Sequence, residues 1–333
     1  MSLPAPKVSV LMPVYNGERY LLEATSSILS QTEADFELVV VNDGSTDRSR
    51  YILRSISDPR LVVVDEPHGG LVAALNTGIV HCRGVYIARM DADDVAAPTR
   101  LAEQAAYLDN HAGCAFCSSN VELIDESGAV FGYQDQDDLP RDELRDGLTG
   151  ARRMLPIIHP SMMMRRDALV ALGGYRPYHS AEDRDLWLRA IDRYGFHRLQ
   201  RRLLKYRMLS SSISRTRPLQ QTVSGALAVV NYLVRAETSV DLHTERPDLW
   251  QLAYSALERG CEKLAPSGVQ HFRAGRQKMR TGQQIEGALM AAGALLRHGP
   301  VALPARFDSR VHALARRVAT QMIAQCSPAR GNG

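Results

Sequence analysis

The sequence is short of several things, and each shortage excludes a class of protein. Five cysteines in 333 residues are few, and odd in number, which argues against a disulfide-stapled scaffold and for a reducing compartment. Cys114 and Cys117 form a CxxC, but no second pair accompanies them to complete a zinc set. The stretch CAFCSSNVELID reads instead as a buried strand leading to a turn at Ser127-Gly128, its thiols serving as small packing residues. Long apolar runs are missing too. GALAVVNYLV and GALMAAGALL fall far short of a bilayer span. Met1 to Lys7 has neither a charged start nor an apolar run, so no signal peptide is expected and a cytoplasmic location is. No internal repeat or low-complexity segment stands out.

What is there is an ordinary globular composition. Hydrophobic residues make up 45% and charged residues 23%, enough for one large or two modest cores. The net charge of +3 is uneven: from residue 271 onward the chain carries +8, and the part before it −5. A basic tail of this kind fits a solvated helix face, an anionic membrane surface, nucleic acid or a protein partner.

The first half alternates apolar β-rich runs with helical patterns. KVSVLMPVY, FELVVVNDGS, RLVVVDE and VYIARMD read as strands. Between them ERYLLEATSSILSQ, RSRYILRSI and GGLVAALNTGIVHC carry helical spacing, the first through Tyr20, Leu21, Ala24 and Ile28. Such alternation predicts an α/β fold, a mostly parallel Rossmann-like sheet flanked by helices. Ligands of such sheets bind beyond the carboxyl ends of the strands, and here those ends carry PVYN, NDGS and MDADD. Further on, TRLAEQAAYLDNH predicts a helix with Thr99 as N-cap. IIHPSMMMRRDALVALGGY predicts a strand entering a short helix closed by Gly173-Gly174, and AEDRDLWLRAIDRYG a helix ending at Gly195. Past residue 215 the pattern turns helical and basic, which predicts an α/β domain over 1–215 and a helical region over 216–333.

Three acidic or polar clusters carry chemistry. Asp91, Asp93 and Asp94 cannot all stay ionised in one desolvated place without a cation, and Mg²⁺ or Mn²⁺ held by one or two carboxylates and a phosphate would resolve the conflict. Strand alternation puts Asp91 and Asp93 on one side and Asp94 on the other. The plain alternative is a solvated turn capping the next helix. Asp43 precedes Gly44 and two hydroxyl residues; its carboxylate fits a ribose or base, or equally an N-cap. In AEDRDLWLRA, helical spacing aligns Asp183 with Trp187, Ala190, Ile191 and Tyr194, an inward stripe, and Glu182 with a mixed face. An inward carboxylate suits a general base; the plain alternative is dipole stabilisation, since Glu182, Asp183 and Asp185 crowd a helix start. Asp185 is expected only to support the helix start and pair with Arg189.

Taken together, VSVLMPVYNGERYLLEATSSILSQT, ELVVVNDGSTD, GGLVAALNTGI, VYIARMDADD, HPSMMMRR, GGYRPYHSAEDRDLWLR and YRMLSSSIS, in that order, resemble a family 2 glycosyltransferase with the GT-A fold. The resemblance spans about residues 7–215. It implies that Pro13, Val14, Tyr15, Asn16 and Asp43, with help from Glu18, hold the nucleotide. It also implies Asp91 near the ribose, Asp93 on a Mn²⁺ or Mg²⁺ that bridges the diphosphate, and Asp183, next to Glu182, as the base of a single inverting displacement. The implied partners are a nucleotide-sugar donor, UDP being the commonest in the family, and a saccharide or lipid-linked acceptor in polysaccharide or glycoconjugate biosynthesis. A peripheral membrane contact or a homo-oligomer through the basic helices is expected, and no nucleic acid. Two positions depart from the family pattern: Leu209 stands where many relatives have a metal-approaching histidine, and His68 where asparagine is frequent. His159 fits an acceptor contact or a turn anchor. The competing readings are a metal-dependent nucleotidyltransferase, which would not need the AED base, and a transferase-like scaffold that has lost turnover.

Overall fold

The structure, a computed structural model, describes residues 5–152, 156–178, 180–209, 218–264 and 305–326. The chain divides into two compact units, one built from 1–147, 153–178 and 182–210, the other from 148–152, 179–181 and 211–333.

The first unit is built on a nine-stranded mixed sheet. Its strands are β1 (Val8–Val14), β2 (Phe36–Asp43), β3 (Leu61–Glu66), β4 (Tyr86–Arg89), β5 (Val95–Ala96), β6 (Cys114–Ile124), β7 (Val130–Gln134), β8 (Met163–Arg165) and β9 (Gly195–Arg207). They lie in the order β3-β2-β1-β4-β8-β6-β9-β5, with β7 paired to β6. The four strands read from the sequence form the parallel part: β1 pairs with β2 and β4, and β2 with β3, all in parallel register. β1 and β2 are buried along their whole length, which is why they appear as unbroken apolar runs rather than alternating ones. β8 then enters antiparallel between β4 and β6, and β6 runs parallel to β9.

Helices α1 (Leu21–Leu29), α2 (Ser49–Ser55), α3 (Leu71–His81), α4 (Arg100–Asn110), α5 (Arg141–Thr149), α6 (Arg166–Ala171) and α7 (Glu182–Ala190) connect the strands, with one 3₁₀ turn at His159–Ser161. α1 buries Leu21, Ala24 and Ile28 as its spacing predicts. Two boundary expectations are corrected. Thr99 sits at the N-cap of α4, but its side chain makes no capping bond. Gly195 does not end α7, which stops at Ala190; it opens β9, where a Cβ would lie 2.7 Å from the Gly113 oxygen. Glycine marks a close backbone approach there as readily as it marks a helix end. Cys114 and Cys117 are buried strand residues, and the cysteines are free thiols.

In the second unit, α8 (Pro218–Thr238), α9 (Leu242–Glu245), α10 (Pro247–Leu264) and α11 (Ala305–Cys326) pack on one another. Val223, Val230, Leu257, Ala315 and Met322 are among its core. Most of the basic excess read from the tail lies outside the described residues; Arg310, Arg316 and Arg317 lie on α11. No helix among the described residues is long and apolar enough to cross a membrane.

Candidate active site

Because β1, β2 and β4 are parallel neighbours, their carboxyl ends lie side by side, and each delivers one polar cluster. The loops after β1 and β2 are stitched together. Asn16, in the left-handed region (φ 51°), donates its N–H to Ser45 Oγ, and its Oδ1 accepts from Thr46 N at 2.8 Å. Glu18 N donates to Asp47 Oδ2 and Glu18 Oε2 accepts from Arg48 N, both at 2.9 Å. Pro13 and Val14 are buried in β1. Tyr15 is exposed and stacks on His68, ring centroids 4.1 Å apart. Asp43 is buried and fully engaged: Oδ1 accepts from Gly69 N at 2.7 Å, Oδ2 from Gly70 N at 3.0 Å, and His68 Nδ1 lies 2.9 Å from Oδ2. Gly44 makes this turn possible, since at φ 66° a Cβ would sit 2.6 Å from His68 N. Asp43 thus builds the turn that carries His68 against Tyr15, a flat aromatic surface open to solvent.

β4 stops at Arg89, so Asp91 to Asp94 lie in a turn and not in a strand. The expected alternation therefore does not apply, and Asp94 does not face away. One carboxylate oxygen from each of Asp91, Asp93 and Asp94 lies within 4.8 Å of the others. Asp94 is buried; its Oδ1 accepts from Arg207 N at 2.8 Å, while Oδ2 has no hydrogen-bond partner among the described residues. Burial, and then the charge of Asp91, push the Asp93 carboxyl up to about 7. The same causes raise Asp94 well above the usual carboxylate range. Two arginines frame the turn. Arg89 Nη1 lies 2.5 Å from Asp91 Oδ2. Arg207 donates from Nε to Asp93 O at 2.7 Å, from Nη1 to Asp125 O and from Nη2 to Glu23 Oε2.

The second acidic pair opens α7, just after Ala181, which adopts the left-handed region at φ 64°. The expected facing is reversed in part: Glu182 is buried and Asp183 half-buried. The helix is covered nearly all round from Asp185 to Ala190, so a single inward stripe does not describe it. Asp185 and Arg189 pair at 2.7 Å as expected, but as a buried pair, with Arg189 Nη2 also donating to Gly174 O. Burial, and then Asp183, push Glu182 up to about 7. Burial also raises Asp183, against the pull of Arg184 N and Arg89. His159 is buried, with Nε2 2.7 Å from Tyr175 Oη and Nδ1 3.8 Å from Glu182 Oε1. Its desolvation keeps the ring neutral. Asn76 clamps Tyr175, donating to its carbonyl and accepting from its N–H.

This donor set fits a hard divalent cation. Three carboxylates converge, and one buried oxygen of Asp94 has no hydrogen-bond partner among the described residues. Leu209 is half-buried and offers no ligand atom; Ser210 to Ser214 of the same motif lie outside the described residues, as does His179 of the YRPYHS stretch. Reading the sequence missed Arg89, Arg207 and Tyr175. Arg89 alone left a signal, a cation closing an apolar strand directly before three carboxylates.

Residues 9–173 match the family model described as glycosyl transferase family 2. EpsE of Bacillus subtilis, which carries a glycosyltransferase name, is 35% identical over 233 residues, covering 67% of this chain and 81% of that protein. The O-antigen biosynthesis glycosyltransferase WbnJ of Escherichia coli is 30% identical over 220 residues, covering 63% and 82%. Among solved structures, S. aureus TarS 1-349 in complex with UDP-GlcNAc superposes with a TM-score of 0.59 at 19% identity, covering 96% of this chain and 90% of that one. The mannosyltransferase PcManGT of Pyrobaculum calidifontis, in complex with GDP-Man and Mn²⁺, gives 0.52 at 20% identity, covering 97% and 88%. These two likenesses show a shared GT-A fold.

Proposed function

The chain belongs to glycosyl transferase family 2, and from that premise we propose an inverting enzyme that moves a sugar from a nucleoside-diphosphate donor to an acceptor hydroxyl. The donor we favour is a UDP-sugar, and the product a surface polysaccharide or glycoconjugate. The O-antigen name of one relative and the UDP-GlcNAc bound by TarS support that choice. Tyr15 and His68 offer the base an aromatic surface, and Pro13, Val14, Asn16, Glu18 and Asp43 shape the loops around it. Asp93 and Asp91 would hold the Mn²⁺ or Mg²⁺, which when bound neutralises charge developing on the leaving diphosphate.

Asp183 is the base in this reading. Half-buried and raised by desolvation, it takes the proton of the acceptor hydroxyl as that oxygen attacks C1 of the sugar from the face opposite the nucleotide. Glu182, buried beside it and close to neutral His159, orients the pair. Residues 1–215 carry this chemistry. The basic helical region 216–333 serves a peripheral contact with an anionic membrane or a second copy of the chain.

One observation carries the reading: an acidic turn able to hold a cation, and a separate acidic pair of buried Glu182 and half-buried Asp183, occur in one compact unit. Asp183→Asn tests it. The variant should bind nucleotide and metal as the wild type does, and release nucleotide from its sugar donor more slowly by on the order of a hundredfold or more. Unchanged turnover would remove Asp183 from the base role.

A further inference from the structure

Arg89 takes part in no step above, yet it is a buried cation paired with the acidic turn. β4 carries its side chain into the interior, where it is 3% exposed, with Nη1 2.5 Å from Asp91 Oδ2. Its backbone is held on both sides: the N–H donates to Met162 O at 2.9 Å, and the carbonyl accepts from Arg100 Nη2 at 2.7 Å. Met162 N in turn donates to His159 O, and the His159 ring faces Glu182 and Tyr175. The strand end that reaches Asp91 is therefore bonded to the segment that flanks the second acidic pair.

The two other buried arginines near this turn are built differently. Arg100 and Arg207 each give donors to two backbone carbonyls, Arg89 O and Met162 O for the first, Asp93 O and Asp125 O for the second, besides side-chain partners Gln104 and Met90, and Glu23. They tie chain segments together. Arg89 ties none with its side chain: Asp91 is its ion-pair partner, and neither Nε nor Nη1 makes a hydrogen bond among the described residues. A buried cation with an unused donor is costly unless the carboxylates around it require the charge.

We infer that Arg89 is a positioning residue for the acidic turn. It fixes the Asp91 carboxylate there, and its backbone ties that turn to the Met162–His159 segment beside Glu182. This rests on the proposed function.

The test compares the full-length wild type with Arg89→Met and Arg89→Lys, each checked by circular dichroism and thermal melting. Two readouts are taken: UDP release from UDP-sugars with Mn²⁺, resolved into kcat and donor KM, and calorimetric binding of UDP with Mn²⁺. Arg89→Met should lower kcat by on the order of a hundredfold and weaken UDP binding by about tenfold. Arg89→Lys, which keeps the charge but packs less well, should recover about a tenth or more of wild-type kcat. Arg89→Gln, polar and neutral, replaces Arg89→Met should that variant not fold, and should lose activity as deeply. A folded neutral variant within about threefold of wild type on both readouts overturns the inference, as does a folded Arg89→Lys no better than the neutral variants. A wild type that binds UDP while the variants match it overturns this inference alone; a wild type that binds no nucleotide overturns the functional reading with it.

Discussion

Glu182 is a carboxylate that the fold holds under strain of charge. Burial, and then Asp183, move it from 4.5 to about 7, so the folded chain binds its proton more tightly than the unfolded one. The stabilisation that protonation gives is full below about pH 4.5 and is lost as pH rises through about 7. Glu182→Gln removes that dependence. In metal-free protein the variant should exceed the wild type in unfolding free energy by about 1–3 kcal/mol at pH 8, and by much less at pH 5. Denaturant titrations at the two pH values check this, and an equal difference at both would contradict it. At this scale the acidic residues were legible, because charge behind an apolar run stands out in any sequence. The direction of Asp94 was not, since period-two alternation fails once the chain leaves the strand for a turn. The exchanged burial of Glu182 and Asp183 was not legible either. A helix covered on almost every side has no stripe from which to read a facing.

Among the elements, β9 does more for the site than its sequence announces. Its last residue, Arg207, closes four hydrogen bonds to Asp94, Asp93, Asp125 and Glu23, and its guanidinium lies over the Tyr20 ring at 4.3 Å. Strand pairing alone would leave the acidic turn free to rearrange; this side chain pins it to β6 and α1. Arg207→Met should destabilise the protein by about 1–3 kcal/mol, because it removes the guanidinium's hydrogen bonds to Asp93 O, Asp125 O and Glu23. Arg207→Lys should restore only part of that, since one ammonium cannot reach partners spread around a guanidinium fork. Thermal melts of the two variants read this directly, and a Lys variant as stable as wild type would contradict it. The first four strands and the helices between them were legible because burial on both faces writes long β-branched runs. β5, two residues long, and the edge strand β7 carry too few residues for a period. Gly195 misled because one residue type serves both helix ends and close strand contacts.

For the molecule as a whole, strand–helix alternation gave the α/β class, and the polar strand ends gave the place of the site. The antiparallel entry of β8 between β4 and β6 was not legible, because long-range pairing leaves no local period. The same gap hid the route by which Met162 and His159 join Arg89 to Glu182. The role of the basic helices belongs to this scale as well. If they serve a membrane contact, the full chain should co-sediment with vesicles rich in anionic lipid at low salt and be released as ionic strength rises. Absence of binding at low salt would leave self-association as the remaining role, to be read from the mass in solution.

In the proposed function, Asp93 and Asp91 would join a divalent cation to a nucleoside diphosphate. Calorimetric titration of UDP, GDP and dTDP, each with Mn²⁺, Mg²⁺ or EDTA, against wild type and Asp93→Ala measures this role. One nucleotide should bind only when metal is present, and Asp93→Ala should weaken that binding by about tenfold or more. Failure of all three nucleotides to bind with metal, or binding that survives both EDTA and Asp93→Ala, would contradict it.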